Sequence, residues 1–251
     1  MSIRKPRIAF IDVETAPVLA AIWPPLHETN SVWVERGTYL FGFGILMLGE
    51  KRVKTYFLPD YPAFKKNIHD DKALCADLHR IIESADIVVA HNGDRFDMKV
   101  IRSRLLINGY SPPSPPKQID TLKWLRSQFR MDSNRLDAFG QATGIGRKIP
   151  NTGAALWRGC YHGDRKAFQT MARYCAQDVR LLERAYFKLR EWSPNHPNLT
   201  LYGGGTCPTC QSNHVQMRGF DVTRSKKHQR MHCQDCGSWF RAPSLKKKSA
   251  A

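Results

Sequence analysis

The chain is short of acid. Its 251 residues hold 22 Asp and Glu against 39 Lys and Arg, a formal net charge of +17 with a pI near 9.8. Such a balance points to a polyanionic partner, because Lys and Arg set beside phosphates release condensed counterions. The sequence also lacks any apolar run of 18 or more residues, which excludes a membrane-spanning helix and gives the membrane no part in its partners. Its first residues, Met1 to Arg7, run straight into a strand-like stretch without the apolar region of a signal peptide, so a cytoplasmic protein is expected. No internal repeat is present. What remains is an ordinary apolar fraction of 42%, enough in a chain of this length to bury a core in one large or two small domains. The basic excess is uneven: Gly205–Ala251 carries nine Lys and Arg against two acids, and the other 204 residues carry 30 against 20.

Residues 7–13 read as a buried strand. Residues 39–48 read as a second, whose glycines suggest a bend or a close approach. Residues 51–57 alternate after a Gly49-Glu50 turn and should pair with it as a hairpin. A helix is predicted near 72–84, a short buried strand at 86–90 and a helix near 95–108. The stiff loop Ser111-Pro-Pro-Ser-Pro-Pro116 follows, then helices near 121–129 and 136–143. The clearest helix spans 165–192: Phe168, Met171, Ala172, Cys175, Val179, Leu182, Tyr186 and Leu189 keep a spacing of three and four. A hairpin followed by alternating strands and helices makes an α/β domain with a mixed sheet the expected fold.

The acids that do occur are distinctively placed. Asp12 and Glu14 stand two apart on the first strand, so both carboxylates leave one face and can share a cation. Asp97 opens a helix after a buried strand, in His91-Asn-Gly-Asp-Arg-Phe-Asp97. Tyr174 and Asp178 lie one helical turn apart, on a stripe beside the apolar one. Each has an ordinary reading by itself: solvated strand-end acids, an acid complementing a helix dipole, the polar face of an amphipathic helix. Together they form four carboxylates that would repel one another without cations. Asp120 reads as a helix cap, with a fifth site acid as the alternative.

Asp-x-Glu on the first strand, Asn-x4-Asp after a later strand and Tyr-x3-Asp on the last long helix resemble the three exonuclease motifs of the DEDD superfamily. Over roughly residues 7–192 the chain is similar to 3′–5′ exonucleases of the ribonuclease-H-like fold. The proofreading domain of family B DNA polymerases and stand-alone phage exonucleases with a zinc ribbon are the nearest in flavour. The tyrosine branch is indicated, because Tyr174 stands four residues before Asp178 and Arg173, not His, stands five before it. The resemblance implies two Mg²⁺ or Mn²⁺ ions held by Asp12, Glu14, Asp97 and Asp178, with Tyr174 orienting the attacking water. It also implies release of nucleoside 5′-monophosphates from a 3′ end; relatives act on DNA or on RNA, and single-stranded DNA is the expected substrate here, favoured over RNA. A polymerase or replication partner would act in trans, and the compartment would be host cytoplasm if the gene is phage-borne. Asn92 and Phe96 are candidates to position the terminal nucleotide by hydrogen bond and stacking, with a core position as the ordinary reading of Phe96.

The cysteines divide. Cys75, Cys160 and Cys175 read as small buried hydrophobes. Cys207-Pro-Thr-Cys210 and Cys233-Gln-Asp-Cys236 form two Cys-x2-Cys knuckles with 22 residues between them, the pattern of a closed structural zinc site. A disulfide pair is the alternative, at odds with a cytosolic setting. Between the knuckles, Arg218, Phe220, Lys226, Lys227 and Arg230, with Trp239 and Phe240 beyond, suggest single-strand contact by charge and base stacking. The expected plan is an exonuclease domain at 1–196, a linker at 197–205, a four-cysteine zinc ribbon at 206–242 and a basic disordered tail at 243–251. Two rival readings are a structure-specific endonuclease on the same fold and a non-catalytic nucleic-acid-binding protein.

Overall fold

Ile8–Thr15 is buried along nearly its whole length, as a strand covered on both faces must be, and it forms the central strand β1. A ribbon of β2 (Leu19–Ile22) and β3 (Ser31–Arg36) follows, then β4 (Leu40–Met47) and β5 (Lys54–Phe57). After helix α1 (Lys72–Glu83) come β6 (Ile87–Ala90), α2 (Asp97–Ile107), β7 (Lys117–Asp120) and α3 (Thr121–Gln128). Helices α4 (Leu136–Thr143), α5 (Ala154–Tyr161) and α6 (Arg165–Leu189) complete this part, and β8 (Val215–Val222), β9 (Lys227–Cys233) and β10 (Trp239–Arg241) end the chain. The computed structural model describes residues 4–23 and 31–242. The basic tail at 243–251 lies outside them.

The larger sheet has the order β5-β4-β1-β6-β7. β4 pairs antiparallel with both β1 and β5, while β6 runs parallel to β1 and β7 parallel to β6. The mixed α/β sheet flanked by helices is therefore the observed architecture. One face is sealed by α6, whose Phe168 packs edge-on against Phe41 and Phe64 at 5.7 and 5.6 Å between ring centroids. Leu74, Cys75, Leu78 and Ile82 are the buried face of α1.

Four of these elements, β7, α5 and the two strands of the β2–β3 ribbon, have no counterpart in the sequence reading. β7, Lys-Gln-Ile-Asp, is four residues long with one buried apolar side chain, too little for a period to show. α5 follows Asn151-Thr-Gly153, a turn-forming stretch that hides the helix behind it. The β2–β3 ribbon is exposed on both faces, so no alternation marks it. The long α-helix ends at Leu189, with one 3₁₀ turn at Arg190–Trp192.

The chain divides into two compact units: Arg7–Ala185, and Tyr186 onward together with the residues before Arg7. The second unit thus begins within α6, upstream of the boundary expected at residue 196. Its sheet is antiparallel in the order β10-β9-β8. Its strands pack on a small cluster, the four knuckle cysteines with Val215 and Phe240 against them. The expected linker at 197–205 is folded structure. Leu199 is buried and its N–H donates to the Pro208 carbonyl at 2.7 Å. The Gln211 amide donates to the carbonyls of Leu199 and Gly203. A Gly-rich sequence is compatible with either outcome; these backbone acceptors decide it.

Candidate functional site

Asp12 and Glu14 leave the same face of β1, with oxygens within 4.8 Å of one another and of the Cys175 thiol. Their partners across the ladder are glycines: Gly44 opposite Asp12 and Gly42 opposite Glu14. A Cβ on Gly44 would meet Cys175 Sγ at 2.9 Å and Val179 Cγ2 at 3.0 Å. Its absence lets α6 close onto the sheet beside the acids, which is the close approach predicted for these glycines. Tyr174 and Asp178, one turn apart on α6, come with it.

Asp97 is the first residue of α2 and is 3% exposed. Its Oδ1 accepts a 3.2 Å hydrogen bond from the N–H of Val13, between Asp12 and Glu14. The third acid is therefore locked to the backbone that carries the first two. Asp178 is as deeply buried, and its Oδ2 accepts from Lys148 Nζ at 2.5 Å. Its Oδ1 is buried with no hydrogen-bond partner.

Lys148 is the residue the sequence reading missed. Its ammonium donates to the Tyr174 hydroxyl at 3.1 Å as well as to Asp178. A loop delivers it: Gly140 has no side chain to collide with the Gly146 carbonyl, so residues 144–148 fold back over α4. Asp137 Oδ1 then accepts the Lys148 N–H at 2.7 Å. The residue has no periodic signal. Only its place in a Gly- and Pro-bordered basic loop, Gly144-Ile-Gly-Arg-Lys-Ile-Pro150, marks it.

The electrostatics follow from crowding like charges in a dry place. Burial, then the neighbouring Glu14, Asp97 and Asp178, pushes the Asp12 carboxyl well above the carboxylate range. Burial and Asp178 push Glu14 up to about 8. Burial raises Asp97 to about 6 against the pull of its backbone hydrogen bonds. Burial also opposes the charge on Lys148, but Asp178 and Tyr174 outweigh it and hold the ammonium above the ordinary lysine value. Tyr174, raised to about 12 by burial and by Asp178, is a neutral phenol. Burial raises the Cys175 thiol strongly, so without metal it stays protonated beside Asp12 and Glu14.

Four carboxylates against one lysine leave three uncompensated charges when ionised, and one buried oxygen without a donor. Added cations would remove both defects, so the residues fit divalent metal. An all-oxygen donor set suits Mg²⁺ or Mn²⁺.

A cavity of about 640 Å³ opens beside Asp12, lined among others by His91, Asn92, Leu122, Arg126, Arg135 and Lys148. His91 is held between Thr121 Oγ1 and the Asn134 carbonyl, and burial lowers its pKa, so the ring is neutral. Asn92 has a φ of 69°, a left-handed conformation rare outside glycine, and its N–H donates to Asp120 Oδ1 at 2.9 Å. Asp120 does cap α3, through Leu122 and Lys123, and it also accepts the Asp94 N–H. Phe96 is 43% exposed at the start of α2 and is not a core residue.

In the second unit the knuckles bring Cys207 Sγ to 3.7 Å from Cys236 Sγ, and Cys210 Sγ to 3.6 Å from Cys233 Sγ. Thiolates bound tetrahedrally at about 2.3 Å to one zinc stand roughly 3.8 Å apart. A disulfide would hold its sulfurs at about 2 Å. All four cysteines are free thiols here and fit the metal. Arg218, Phe220, Lys226, Lys227 and Arg230 lie on or at the turn of the β8–β9 hairpin.

No curated protein sequence matches the chain. Among solved structures it is similar to the family B DNA polymerase from the hyperthermophilic archaeon Pyrobaculum calidifontis, with a TM-score of 0.54 and 15% identity. That likeness covers 74% of this chain and 25% of the polymerase, and it is a likeness of fold. No helix among the described residues is long and apolar enough to cross a membrane. A family model for the RNase H superfamily matches residues 28–190, beginning after Asp12 and Glu14 and reaching through Asp97, Lys148, Tyr174 and Asp178. The chain belongs to the RNase H superfamily.

Proposed function

We propose that the protein is a metal-dependent 3′–5′ exonuclease that hydrolyses single-stranded DNA to nucleoside 5′-monophosphates, with Asp12, Glu14, Asp97 and Asp178 as its metal ligands. The observation that carries this reading is the buried, partnerless Oδ1 of Asp178 within a four-carboxylate cluster. Two divalent ions bound there would supply the acidity that makes water a nucleophile at neutral pH and the charge that stabilises the leaving oxygen. The charge count supports the number of ions: four carboxylates and Lys148 sum to −3, two divalent ions bring the site to +1, and a phosphodiester carries −1. Tyr174, neutral and held by the Lys148 ammonium, orients a water by hydrogen bond without ionising. Lys148 keeps one fixed positive charge against Asp178. The cavity beside Asp12 has room for a terminal nucleotide, with Asn92 on its wall and Phe96 exposed nearby. The four cysteines hold a structural zinc in the second unit.

A digestion panel tests the reading: single- and double-stranded DNA and RNA, each labelled at the 5′ or the 3′ end, together with circular single-stranded DNA, in Mg²⁺ or Mn²⁺. Linear single-stranded DNA should shorten from the 3′ end while circles stay intact. Asp12→Ala and Asp178→Ala should each lower the rate more than about a thousandfold, equivalent to roughly 4 kcal/mol of transition-state stabilisation. Cleaved circles would indicate an endonuclease, and full activity in purified Asp12→Ala would sink the site assignment.

A further inference from the structure

The hairpin of the second unit has little acid. From Val215 to Cys233 it holds five Lys and Arg and one acid, Asp221, and that acid is taken by Arg241 at 2.5 Å. Three of the cations, Arg224, Lys226 and Lys227, are exposed at the turn between β8 and β9, and among the described residues no carboxylate pairs with them. The turn itself is well defined: Thr223 N–H donates to the Lys226 carbonyl at 2.8 Å, and the Lys226 N–H donates to Thr223 Oγ1 at 3.0 Å. The β8 bulge behind it is tied down from β9, where Gln229 Nε2 donates to the Gly219 carbonyl and Arg230 Nε to the Arg218 carbonyl. Charge is thus presented on a fixed scaffold.

The aromatic rings of the hairpin are engaged within the protein. Lys227 Nζ lies 3.9 Å from the centroid of Phe220. The Trp239 ring is stacked on His232, 4.4 Å between centroids, and carries the Arg230 guanidinium 5.1 Å from its own. Phe240 packs on the cysteine core. Phe220 and Trp239 thus already carry the protein's own cations and histidine, though each remains about half exposed. What faces outward at the turn is charge.

We propose that the turn carrying Arg224, Lys226 and Lys227 is a phosphate-contact site for a nucleic-acid strand, one that reads the backbone and not the bases. The occupant is set by charge complementarity: three unneutralised cations suit a polyphosphate backbone, and such contacts are indifferent to sequence. The proposal stands whether or not the acidic site cuts.

The test uses the full zinc-loaded chain carrying Asp12→Ala, so that the probe survives. Two fluorescein-labelled probes of about twenty nucleotides are compared, a thymidine oligomer and an abasic strand with the same sugar-phosphate backbone. Both should bind within about threefold of each other. Replacing Arg224, Lys226 and Lys227 together by Ala should weaken both by about tenfold at 0.1 M salt. It should also reduce the slope of log affinity against log salt by about 2, since each single-strand contact contributes roughly 0.7. Phe220→Leu, which leaves the three charges in place, should change binding less than about twofold. One zinc per chain in every variant shows that the ribbon has folded. An unchanged salt slope in the triple variant would overturn the proposal, and so would an abasic probe that fails to bind while the thymidine probe binds.

Discussion

Asp12, Glu14, Asp97 and Asp178 are drawn from three elements spread over more than half the chain, and they hang on a sheet whose core is complete without them. Cys207, Cys210, Cys233 and Cys236 come from two local knuckles, and they are themselves most of the core they sit in. The first cluster is a cost carried by a fold that is stable on other grounds. The second is the ground on which its fold is stable. Under the proposed function, metal would serve chemistry in the larger unit and folding in the smaller one.

The largest effect that could break this contrast is loss of the cysteine metal. Zinc removal, or Cys233→Ser, should unfold the sheet of β8, β9 and β10 while leaving the larger unit intact, because structural zinc commonly supplies about 10–16 kcal/mol of folding free energy. Amide hydrogen exchange would show it: protection lost across Val215–Arg241 and kept in β1. Protection surviving in both would mean the ribbon stands without its metal.

Both clusters were legible in the sequence for different physical reasons. A strand of period two fixes Asp12 and Glu14 on one face, a helical turn fixes Tyr174 with Asp178, and Cys-x2-Cys spacing is its own signal. The glycines of β4 announced the approach of α6. Lys148 was not legible, since a loop folded back by Gly140 obeys no period. Nor was the packing of Leu199, which depends on acceptors contributed across the unit by Pro208 and Gln211. What lies against Trp239, the His232 ring and the Arg230 guanidinium, was not legible either, because sequence shows an aromatic but not its neighbours.

A smaller effect sharpens the acidic side. Glu14 has its pKa raised from 4.5 to about 8, and Asp97 from 3.8 to about 6, both chiefly by burial. The folded state therefore keeps protons that the unfolded state has released. Metal-free stability is highest below pH 4 on this account, and falls as pH climbs toward 8, by about 1.4 kcal/mol for each pH unit over which one such proton is retained. Mn²⁺ should flatten that decline, because it displaces the same protons. Thermal melts at pH 5 and pH 8, with and without Mn²⁺, measure it, and a metal-free protein more stable at pH 8 would contradict it.

The smallest effect concerns Gly44→Ala. Glycine inside a strand ordinarily gives up stability to alanine, but here the added methyl meets Cys175 and Val179. Overpacking should decide the sign and cost about 1–3 kcal/mol. Activity should fall along with stability, because Tyr174 and Asp178 ride on the displaced helix. A stabilised Gly44→Ala protein would show that α6 has slack at this point.

Asp120 leaves a practical consequence. One carboxylate receives four backbone N–H groups, two from the helix it caps and two from the loop carrying Asn92. It is a hinge pin shared by a structural joint and a working surface. In any screen that scores colonies by nuclease activity, its loss will look the same as loss of a metal ligand. Counting bound Mn²⁺ separates the two, since a protein without Asp120 keeps every oxygen of the cluster and a protein without Asp178 does not.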